Sequence, residues 1–268
     1  MTELPLATLL PEVAAIARRA GNAILEVYAR DFDVMRKADS SPLTVADMRS
    51  HDIIVGALRA LTPDIPILSE EASNIPFAER ATWSRHWLVD PLDGTKEFVS
   101  RNGEFTVNIA LIEQHAPVLG VVFVPVRDTL YMAAAGGNAL RQIGGEPACT
   151  ISVTTPAYSP LRIVGSRSHR DGRLESYLSR LPPHELLFVG SSIKFCLVAE
   201  GSADLYPRFG PTSEWDTAAA QAVVEAAGGA VVTLDGQPLR YNFKADLINP
   251  NFLVYGDKSR DWAAVFRG

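Results

Sequence analysis

The stretch HWLVDPLDGTKEF, residues 86–98, places two acids directly after an apolar run. The residues WLV (87–89) are typical of a buried strand, and Asp90 and Asp93 follow them. Pro91 biases Asp90 toward extended geometry, so this strand is predicted to end at Asp90. An ordinary turn tolerates such a pattern, whereas a metal site requires something close to it.

Gly94, Thr95 and Lys96 follow the second acid. If they open a helix, their backbone N–H groups have no partner within it and form a cradle for a phosphate group. Hard divalent ions such as Mg²⁺ prefer oxygen ligands, typically one or two carboxylates together with substrate phosphate. The alternative is a Pro-x-Asp-Gly turn held by aspartate hydrogen bonds, and the hexapeptide alone favours neither interpretation.

Three other segments carry acids at the end of a predicted strand or the start of a predicted helix. Glu70 and Glu71 follow the short apolar run IPIL, where a solvated loop is the simpler interpretation. Asp47 lies three residues after Thr44, where it completes a capping box. Asp216 lies in the first turn of a helix, where it complements the helix dipole. Each acid alone has an ordinary structural role, but their repeated placement indicates one shared site.

The helix that begins near Asp216 is rich in small residues, because Ala218, Ala219, Ala220 and Ala222 follow the acid. Such a series predicts that the helix packs very closely against another element. Close packing suits a helix that brings its N-terminus into a crowded site.

The first half of the chain predicts helices followed by antiparallel strands. Apolar residues at helical spacing indicate helices over 4–30 and from Thr44 to about Leu61. The runs FTVNIALIE and VLGVVFVPV, separated by QHAP, predict a hairpin, and TLYMAAAG and ACTISV predict further strands.

The second half alternates strands with helices, which are predicted over 171–181, 192–200 and 214–227. The segment TTPAYSP marks a boundary before this half, so we expect an N-terminal lobe of residues 1–155 and a C-terminal lobe of residues 156–268. The fold class is therefore α/β.

Composition excludes several classes of protein. The 268 residues are 47% hydrophobic with a net charge of −6 and no basic stripe, so a nucleic-acid polymer is not an expected partner. No apolar run is long enough to cross a membrane. Cys149 and Cys196 are far apart and form no disulfide framework, which favours a reducing, cytoplasmic compartment. The sequence indicates no particular oligomeric state.

The motifs quoted above resemble those of a known family. WLVDPLDGT and WDTAAAQAVVEAAGG resemble the two signatures of the inositol monophosphatase superfamily, whose members are Mg²⁺-dependent and lithium-sensitive. Within it, GSSIKFCLVAEGSADLYPRFGPTSEWDTAA and SRSH resemble the 3'(2'),5'-bisphosphate nucleotidase subgroup. One small departure is Ser69, where many members have glycine. The resemblance covers nearly the whole chain and implies a layered α/β/α/β/α sandwich with the active site between the lobes.

The resemblance implies two or three Mg²⁺ ions at the site. The first ion would be held by Glu70, Asp90 and the backbone carbonyl of Leu92. The second would be held by Asp90, Asp93 and Asp216. A third, looser ion would lie near Glu70, reached through water.

The resemblance also implies the catalytic groups. Thr95 and Asp47 would orient and deprotonate the attacking water, with the threonine hydroxyl passing a hydrogen bond to the aspartate. Glu71 would hold the surrounding water network.

Substrate contacts are implied at Ser166, His169, Ser191 and Lys194, where the second phosphate and the nucleoside would bind. Without the resemblance, the sequence predicts that His169 is a strand-end histidine bonded to the backbone and that Lys194 is a surface lysine. Further cations, Lys96 and Arg208, are candidates. The substrate would also touch the residues around the metals, which are Glu70, Leu92, Asp93, Gly94, Thr95 and Asp216.

The expected reaction is removal of the 3'-phosphate from adenosine 3',5'-bisphosphate, the by-product of sulfate activation, to give AMP and phosphate, and action on its sulfonated analogue. An inositol monophosphatase or other sugar-phosphate phosphatase of the same superfamily is the first alternative. A catalytically silent nucleotide-binding regulatory protein is the second. The subgroup also suggests possible peripheral association with the cytoplasmic face of the inner membrane, although no basic amphipathic helix supports it.

Overall fold

The structure, a computed structural model, describes residues 5–29, 34–36, 42–167 and 176–266. Within these ranges, no helix has the length and apolar character needed to cross a bilayer.

The helices lie close to their predicted positions. They are α1 Leu6–Tyr28, α2 Val45–Leu61, α3 Phe77–Arg80, α4 Thr95–Val99, α5 Ile193–Ala199, α6 Glu214–Ala226 and α7 Trp262–Phe266, with 3-10 turns at Glu70–Ala72 and Pro125–Arg127. Helix α1 forms because its apolar residues recur every three or four positions, and Leu9, Val13 and Ile24 from this stripe are buried. The helix predicted over 171–181 lies partly outside the described residues; of the positions that are described, 176–178 are helical and 179–181 are not.

Seven strands form the first sheet and lie side by side in chain order. They are β3 Ile67–Ser69, β4 Arg85–Asp93, β5 Thr106–Glu113, β6 Ala116–Val124, β7 Thr129–Ala134, β8 Leu140–Ile143 and β9 Cys149–Thr150. Strands β3 and β4 are parallel, and all other neighbours are antiparallel. The predicted hairpin is confirmed: β5 and β6 are joined by Gln114 and His115, which both have positive φ as a tight two-residue turn requires. Strands β1 Val34–Arg36 and β2 Pro42–Thr44 form a separate antiparallel pair.

Five strands of the second half form a mixed sheet. They are β10 Leu161–Ser166, β11 His184–Val189, β12 Leu205–Arg208, β13 Ala230–Thr233 and β14 Phe252–Tyr255, in the spatial order β11-β10-β12-β14-β13. Strand β10 is parallel to both of its neighbours, whereas β14 is antiparallel to both of its own.

The layers follow the expected α/β/α/β/α order. Helices α1 and α2 cover one face of the first sheet in a single apolar cluster. Helices α5 and α6 lie between the two sheets, in a second cluster that contains Leu88 of the first sheet and Phe252 of the second. Helix α7 packs on the outer face of the second sheet through Trp262 and Phe266. The middle helix layer therefore shares one core with both sheets.

Strand β4 does not end at Asp90, so that prediction is wrong. Asp90 is opposite Asn108 on β5, and Asp93 is opposite Thr106, so two residues of β4 face one residue of β5. This arrangement is a β-bulge, and Pro91 lies within it. A bulge tolerates proline because a bulged residue makes no regular ladder hydrogen bond that the missing N–H could remove. Proline also imposes extended geometry on the residue before it, which here is Asp90.

Candidate active site

The bulge in β4 decides where its two acids point. In a regular strand, residues three positions apart lie on opposite faces of the sheet. The extra residue between Asp90 and Asp93 restores the same face, as their partners Asn108 and Thr106 are two apart on β5. The backbone N–H of Leu92 donates to Asp90 Oδ1 at 3.1 Å, which fixes the loop of the bulge. Two acids from one strand are thereby directed to one place.

A cavity of about 290 Å³ lies beside this end of β4. It is lined by residues from both halves of the chain, and three of the predicted metal ligands, Glu70, Asp93 and Asp216, are among them. Glu70 begins the 3-10 turn after β3, and Asp216 lies in the first turn of α6. The cavity therefore combines a strand end, a turn and a helix start.

Asp90 is not among the residues that line the cavity and is 1% exposed. Burial raises the pKa of Asp90 well above its ordinary value, and neighbouring negative charges raise it further. Those charges belong to Glu70, Asp93, Asp216 and Asp47. Burial and then the charges of Asp93 and Glu70 also raise the pKa of Asp216 well above its ordinary value. The acids from distant parts of the chain are thus close enough to repel one another.

Asp93 is held by the start of the α5 segment. Its Oδ2 accepts a hydrogen bond from the backbone N–H of Ser192 at 2.6 Å and one from Thr106 Oγ1 at 3.4 Å. Burial raises the pKa of Asp93 to about 6, although the Lys194 charge and the Ser192 N–H act in the opposite direction. Ser192 Oγ also donates to Asn108 Oδ1 at 2.8 Å, which ties β5 to the second half of the chain.

Thr106 and Asn108, which both form hydrogen bonds with Ser192, were missed by the sequence reasoning. Thr106 Oγ1 and Ser192 Oγ are 2.8 Å apart, and all three residues are buried. Thr106 and Asn108 are polar residues within a run of buried strand residues, and this departure from an apolar pattern was the available signal.

The proposed water-activating residues lie on two helices. Thr95 is the first residue of α4 and lines the cavity, and Gly94 before it has φ +95°, a conformation that favours glycine. Asp47 is fully buried in the first turn of α2, and its charge is among those that act on Asp90. Glu71 follows Glu70 in the 3-10 turn and is half-buried.

Lys194 is not a surface lysine, because it is only 4% exposed. Its Nζ donates to the carbonyl oxygens of Ser191 at 2.5 Å and Val189 at 3.3 Å, and it lies 5.4 Å from the centre of the Tyr206 ring. Burial lowers the pKa of Lys194 to about 8, although the nearby charge of Asp93 acts to raise it. A buried ammonium group that lines the cavity is suited to an anionic ligand.

Ser166 and Ser191 also line the cavity; Ser166 is the last residue of β10, and Ser191 lies in the turn after β11. The Ser191 hydroxyl is buried and has no hydrogen-bond partner among the described residues. His169 lies outside the described residues. Of the two further cations, both Lys96 and Arg208 line the cavity, and Arg208 donates to the carbonyl oxygens of Gly210 and Pro211.

The donor set fits a hard divalent cation. Glu70, Asp90, Asp93 and Asp216 supply only carboxylate oxygens, which such ions prefer, and a cation would offset both the burial and the repulsion that raise the pKa of Asp90 and Asp216. Within the ranges that the structure describes, no three His, Cys, Asp or Glu side chains are already gathered tightly enough to enclose an ion. The fit therefore rests on donor chemistry and electrostatics.

The fold and the acid-lined cavity agree with one known family. A model of the inositol monophosphatase family matches residues 6–262, and the chain belongs to this family.

The similar proteins point to one subgroup within the family. The chain is 51% identical over 249 residues to the 3'(2'),5'-bisphosphate nucleotidase CysQ of Escherichia coli K12, covering 92% of this chain and 99% of that protein. The CysQ of Salmonella typhimurium LT2 gives the same identity and coverage. The crystal structure of CysQ from Bacteroides thetaiotaomicron, 44% identical, superposes with a TM-score of 0.81 over 91% of this chain and 96% of that one. The resemblance inferred from the motifs is confirmed.

Proposed function

We propose that this chain is a phosphatase that removes the 3'-phosphate of adenosine 3',5'-bisphosphate, giving AMP and phosphate, and that it also acts on the sulfonated analogue. The observation that carries the proposal is the cavity, where carboxylates lie beside the buried ammonium group of Lys194. A substrate with two phosphate groups needs two binding environments, and the carboxylates and the Lys194 ammonium group provide one each. The printed names of relatives at 51% identity support the same reaction. We expect the enzyme to act in the cytoplasm.

We propose that the carboxylates hold Mg²⁺, two or three ions per site. Glu70, Asp90 and the Leu92 carbonyl would hold one ion, and Asp90, Asp93 and Asp216 a second. When bound, Mg²⁺ supplies positive charge where the transferred phosphoryl group and the leaving oxygen gain negative charge.

The protein's own groups orient the attacking water in this proposal. Thr95 lines the cavity and Asp47 is fully buried. In this proposal the threonine hydroxyl would accept a hydrogen bond from the water while it donates one to the aspartate. A threonine alone is a poor base, and the carboxylate supplies the basicity. Glu71, beside Glu70, would hold the neighbouring waters. Gly94 lets the backbone approach the phosphate without a side chain in the way.

The second phosphate is assigned to the part of the cavity that Ser191 and Lys194 line. Ser191 offers a hydroxyl with no hydrogen-bond partner in the described part of the chain, and Lys194 offers a positive charge. Ser166 lines the same cavity, and His169 is expected to approach it. A sugar monophosphate has no second phosphate to occupy this part of the cavity. This difference in substrate separates the proposed nucleotidase from an inositol monophosphatase.

A phosphate-release panel tests the proposed function. The substrates are adenosine 3',5'-bisphosphate, its sulfonated analogue, inositol 1-phosphate and fructose 1,6-bisphosphate, each with Mg²⁺, with a chelator and with added lithium. We expect the bisphosphate nucleotide to give the highest kcat/KM, with activity lost in the chelator and reduced by lithium. A preference for inositol 1-phosphate would establish the sugar-phosphatase alternative, and no Mg²⁺-dependent release from any substrate would establish the silent regulatory protein.

Lys194 provides a sharper test of the second phosphate site. Lys194→Ala removes the charge, and Lys194→Met removes it while keeping most of the buried stem. We expect either change to raise KM for the bisphosphate about tenfold or more, since a charge-assisted hydrogen bond contributes roughly 1.5–3 kcal/mol. KM for inositol 1-phosphate should change far less, and the exposed Lys258→Met serves as control. Equal increases for both substrates would remove the argument for a nucleotidase.

A further inference from the structure

The turn between β11 and α5, residues Gly190–Ser192, has an unusual backbone. Ser191 has φ +47°, in the left-handed region that non-glycine residues rarely occupy. Such a conformation persists when the surrounding structure holds it in place. The contacts that hold this turn therefore determine how Ser191 faces the cavity.

One end of the turn is held by the first sheet. The N–H of Ser192 donates to Asp93 Oδ2 at 2.6 Å, and the Ser192 hydroxyl bonds to Asn108. These contacts belong to the acid-lined side of the cavity described above.

The other end is held by Glu104, which lies in the loop before β5. Its Oε2 accepts a hydrogen bond from the N–H of Gly190 at 2.8 Å. Arg167, directly after β10, donates to both Glu104 oxygens, with Nε to Oε2 at 2.7 Å and Nη2 to Oε1 at 2.8 Å. The same Nη2 donates to the carbonyl oxygen of Phe188 at 2.7 Å. One carboxylate therefore ties the first half of the chain to two segments of the second.

The pair is ionised and partly screened from water. Burial acts to raise the pKa of Glu104, but the bonds from Arg167 and Gly190 outweigh it and leave that pKa below its ordinary value. The Glu104 side chain is 11% exposed and the Arg167 side chain 46%. Bidentate geometry of this kind fixes direction as well as distance.

The turn also packs tightly against the loop that carries Glu104. A Cβ placed on Gly190 would lie 2.6 Å from Glu97 Cγ and 2.8 Å from the carbonyl oxygen of Glu104. There is no room for a side chain there, so a change in the Glu104 loop is transmitted to the turn.

The backbone of this turn also positions the ammonium group of Lys194. Lys194 Nζ donates to the carbonyl oxygens of Ser191 and Val189, on either side of Gly190. A displacement at the Gly190 end of the turn therefore moves both groups that we assign to the second phosphate, while the Ser192 N–H at the other end keeps its bond to Asp93.

We propose that Glu104 and Arg167 are positioning residues that set the preference for a bisphosphate, by holding the Gly190–Ser192 turn in the form that presents Ser191 and Lys194 to the second phosphate. Glu104 itself is not part of the cavity wall, so it acts through the turn. This inference rests on the proposed function and adds the residues that determine substrate preference.

The test compares two adenosine substrates that differ only in the second phosphate: adenosine 3',5'-bisphosphate and adenosine 3'-monophosphate. Glu104→Gln keeps the shape but replaces an acceptor oxygen with an NH₂ donor, which then faces Arg167 or the N–H of Gly190. Arg167→Gln removes the other partner. For each variant we expect KM for the bisphosphate to rise about tenfold, while kcat stays within about twofold of the wild-type value. This pattern is expected when an interaction that binds the ground state and the transition state equally is lost. KM and kcat for the monophosphate should stay within about twofold.

Two further variants complete the experiment. The double variant should raise KM no more than either single change, because both act on one unit. Glu200→Gln is the matched control, since Glu200 Oε2 accepts bonds from Arg141 and Tyr131 at 2.8 Å but does not line the cavity. It should leave both substrates unaffected.

Each outcome decides a separate question. If the wild-type chain does not prefer the bisphosphate, the proposed function is wrong and this inference with it. If the wild type prefers the bisphosphate but the Glu104 variant keeps that preference, or loses activity on both substrates equally, only this inference is wrong.

Discussion

At the scale of single residues, His86 is a buried group outside the catalytic end of the protein. It is 1% exposed at the start of β4, and neither ring nitrogen has a hydrogen-bond partner among the described residues. Burial, followed by the charges of His115 and Arg80, lowers the pKa of His86 to about 4. The folded protein therefore holds this ring in its neutral form.

The first prediction concerns stability in acid. Because the pKa of His86 is lower in the folded state than its ordinary value of 6.5, the unfolded chain binds the proton more readily between about pH 4 and pH 6.5. The contribution of His86 to the free energy of unfolding is complete above pH 6.5 and falls by roughly 3 kcal/mol as the pH drops to 4. His86→Phe should remove this component, and urea unfolding at pH 7 and pH 4.5 measures it. An equal loss of stability in acid for the variant and the wild type would contradict the prediction.

Single residues also show what local sequence can and cannot predict. The acids of the site were identified because carboxylates after apolar runs are conspicuous. The local sequence predicts that Lys194 is a surface lysine, and only the resemblance indicates a ligand role. Its burial depends on Tyr206 and on the neighbouring backbone. Burial of a charged side chain is a tertiary property that local spacing does not reveal.

At the scale of secondary-structure elements, helix α6 carries Asp216 and packs directly on β6. The small residues predicted close packing, and the structure confirms it. A Cβ placed on Gly120 of β6 would lie 2.1 Å from the carbonyl oxygen of Ala219 and 2.8 Å from Ala222 Cβ. The helix can approach the sheet this closely only where neither side has a large residue.

The second prediction follows from this contact. Gly120→Ala should lower the free energy of unfolding by about 1–3 kcal/mol, because the added methyl group meets backbone that cannot move aside freely. The same change should raise the Mg²⁺ concentration needed for half-maximal activity, since α6 moves with Asp216. Urea unfolding and a Mg²⁺ titration of phosphate release measure the two effects.

Gly56→Ala is the matched control. Gly56 lies exposed in α2, and an added Cβ would meet nothing within 4 Å. This change should stabilise the protein by up to about 1 kcal/mol, because alanine is the better helix former. If both glycine variants changed stability equally, close packing of α6 on β6 would not be the cause.

The elements missed by sequence reasoning share a physical reason. Strand β8, Leu140–Ile143, has four half-exposed or exposed residues and no apolar alternation, so its pairing with β7 decides its structure. The bulge at Pro91 likewise exists only in relation to β5. Both features depend on cross-strand partners, whereas the long helices carry their own periodic signal and were predicted correctly.

At the scale of the whole molecule, the two predicted lobes share an interior. The cluster between the sheets contains Leu88 and Ala110 of the first sheet, Phe252 and Val254 of the second, and Val223 of α6. Sequence patterning suggested a boundary near residue 155 because strands and helices change their order there. It could not show that α5 and α6, which follow the boundary, would pack against the sheet that precedes it.

This shared core leads to the last prediction. If the lobes were independent, each would keep its own core and unfold separately, and the division at residues 155 and 156 would appear as two transitions. Because α5 and α6 lie between the sheets and contact both, loss of either sheet exposes the same helices. We therefore expect one cooperative transition in scanning calorimetry, with equal calorimetric and van't Hoff enthalpies, and one shift of that transition when substrate analogue and Mg²⁺ are added. Two resolved transitions, with only one shifted by the ligands, would show that the lobes fold separately and that the cavity belongs to one of them.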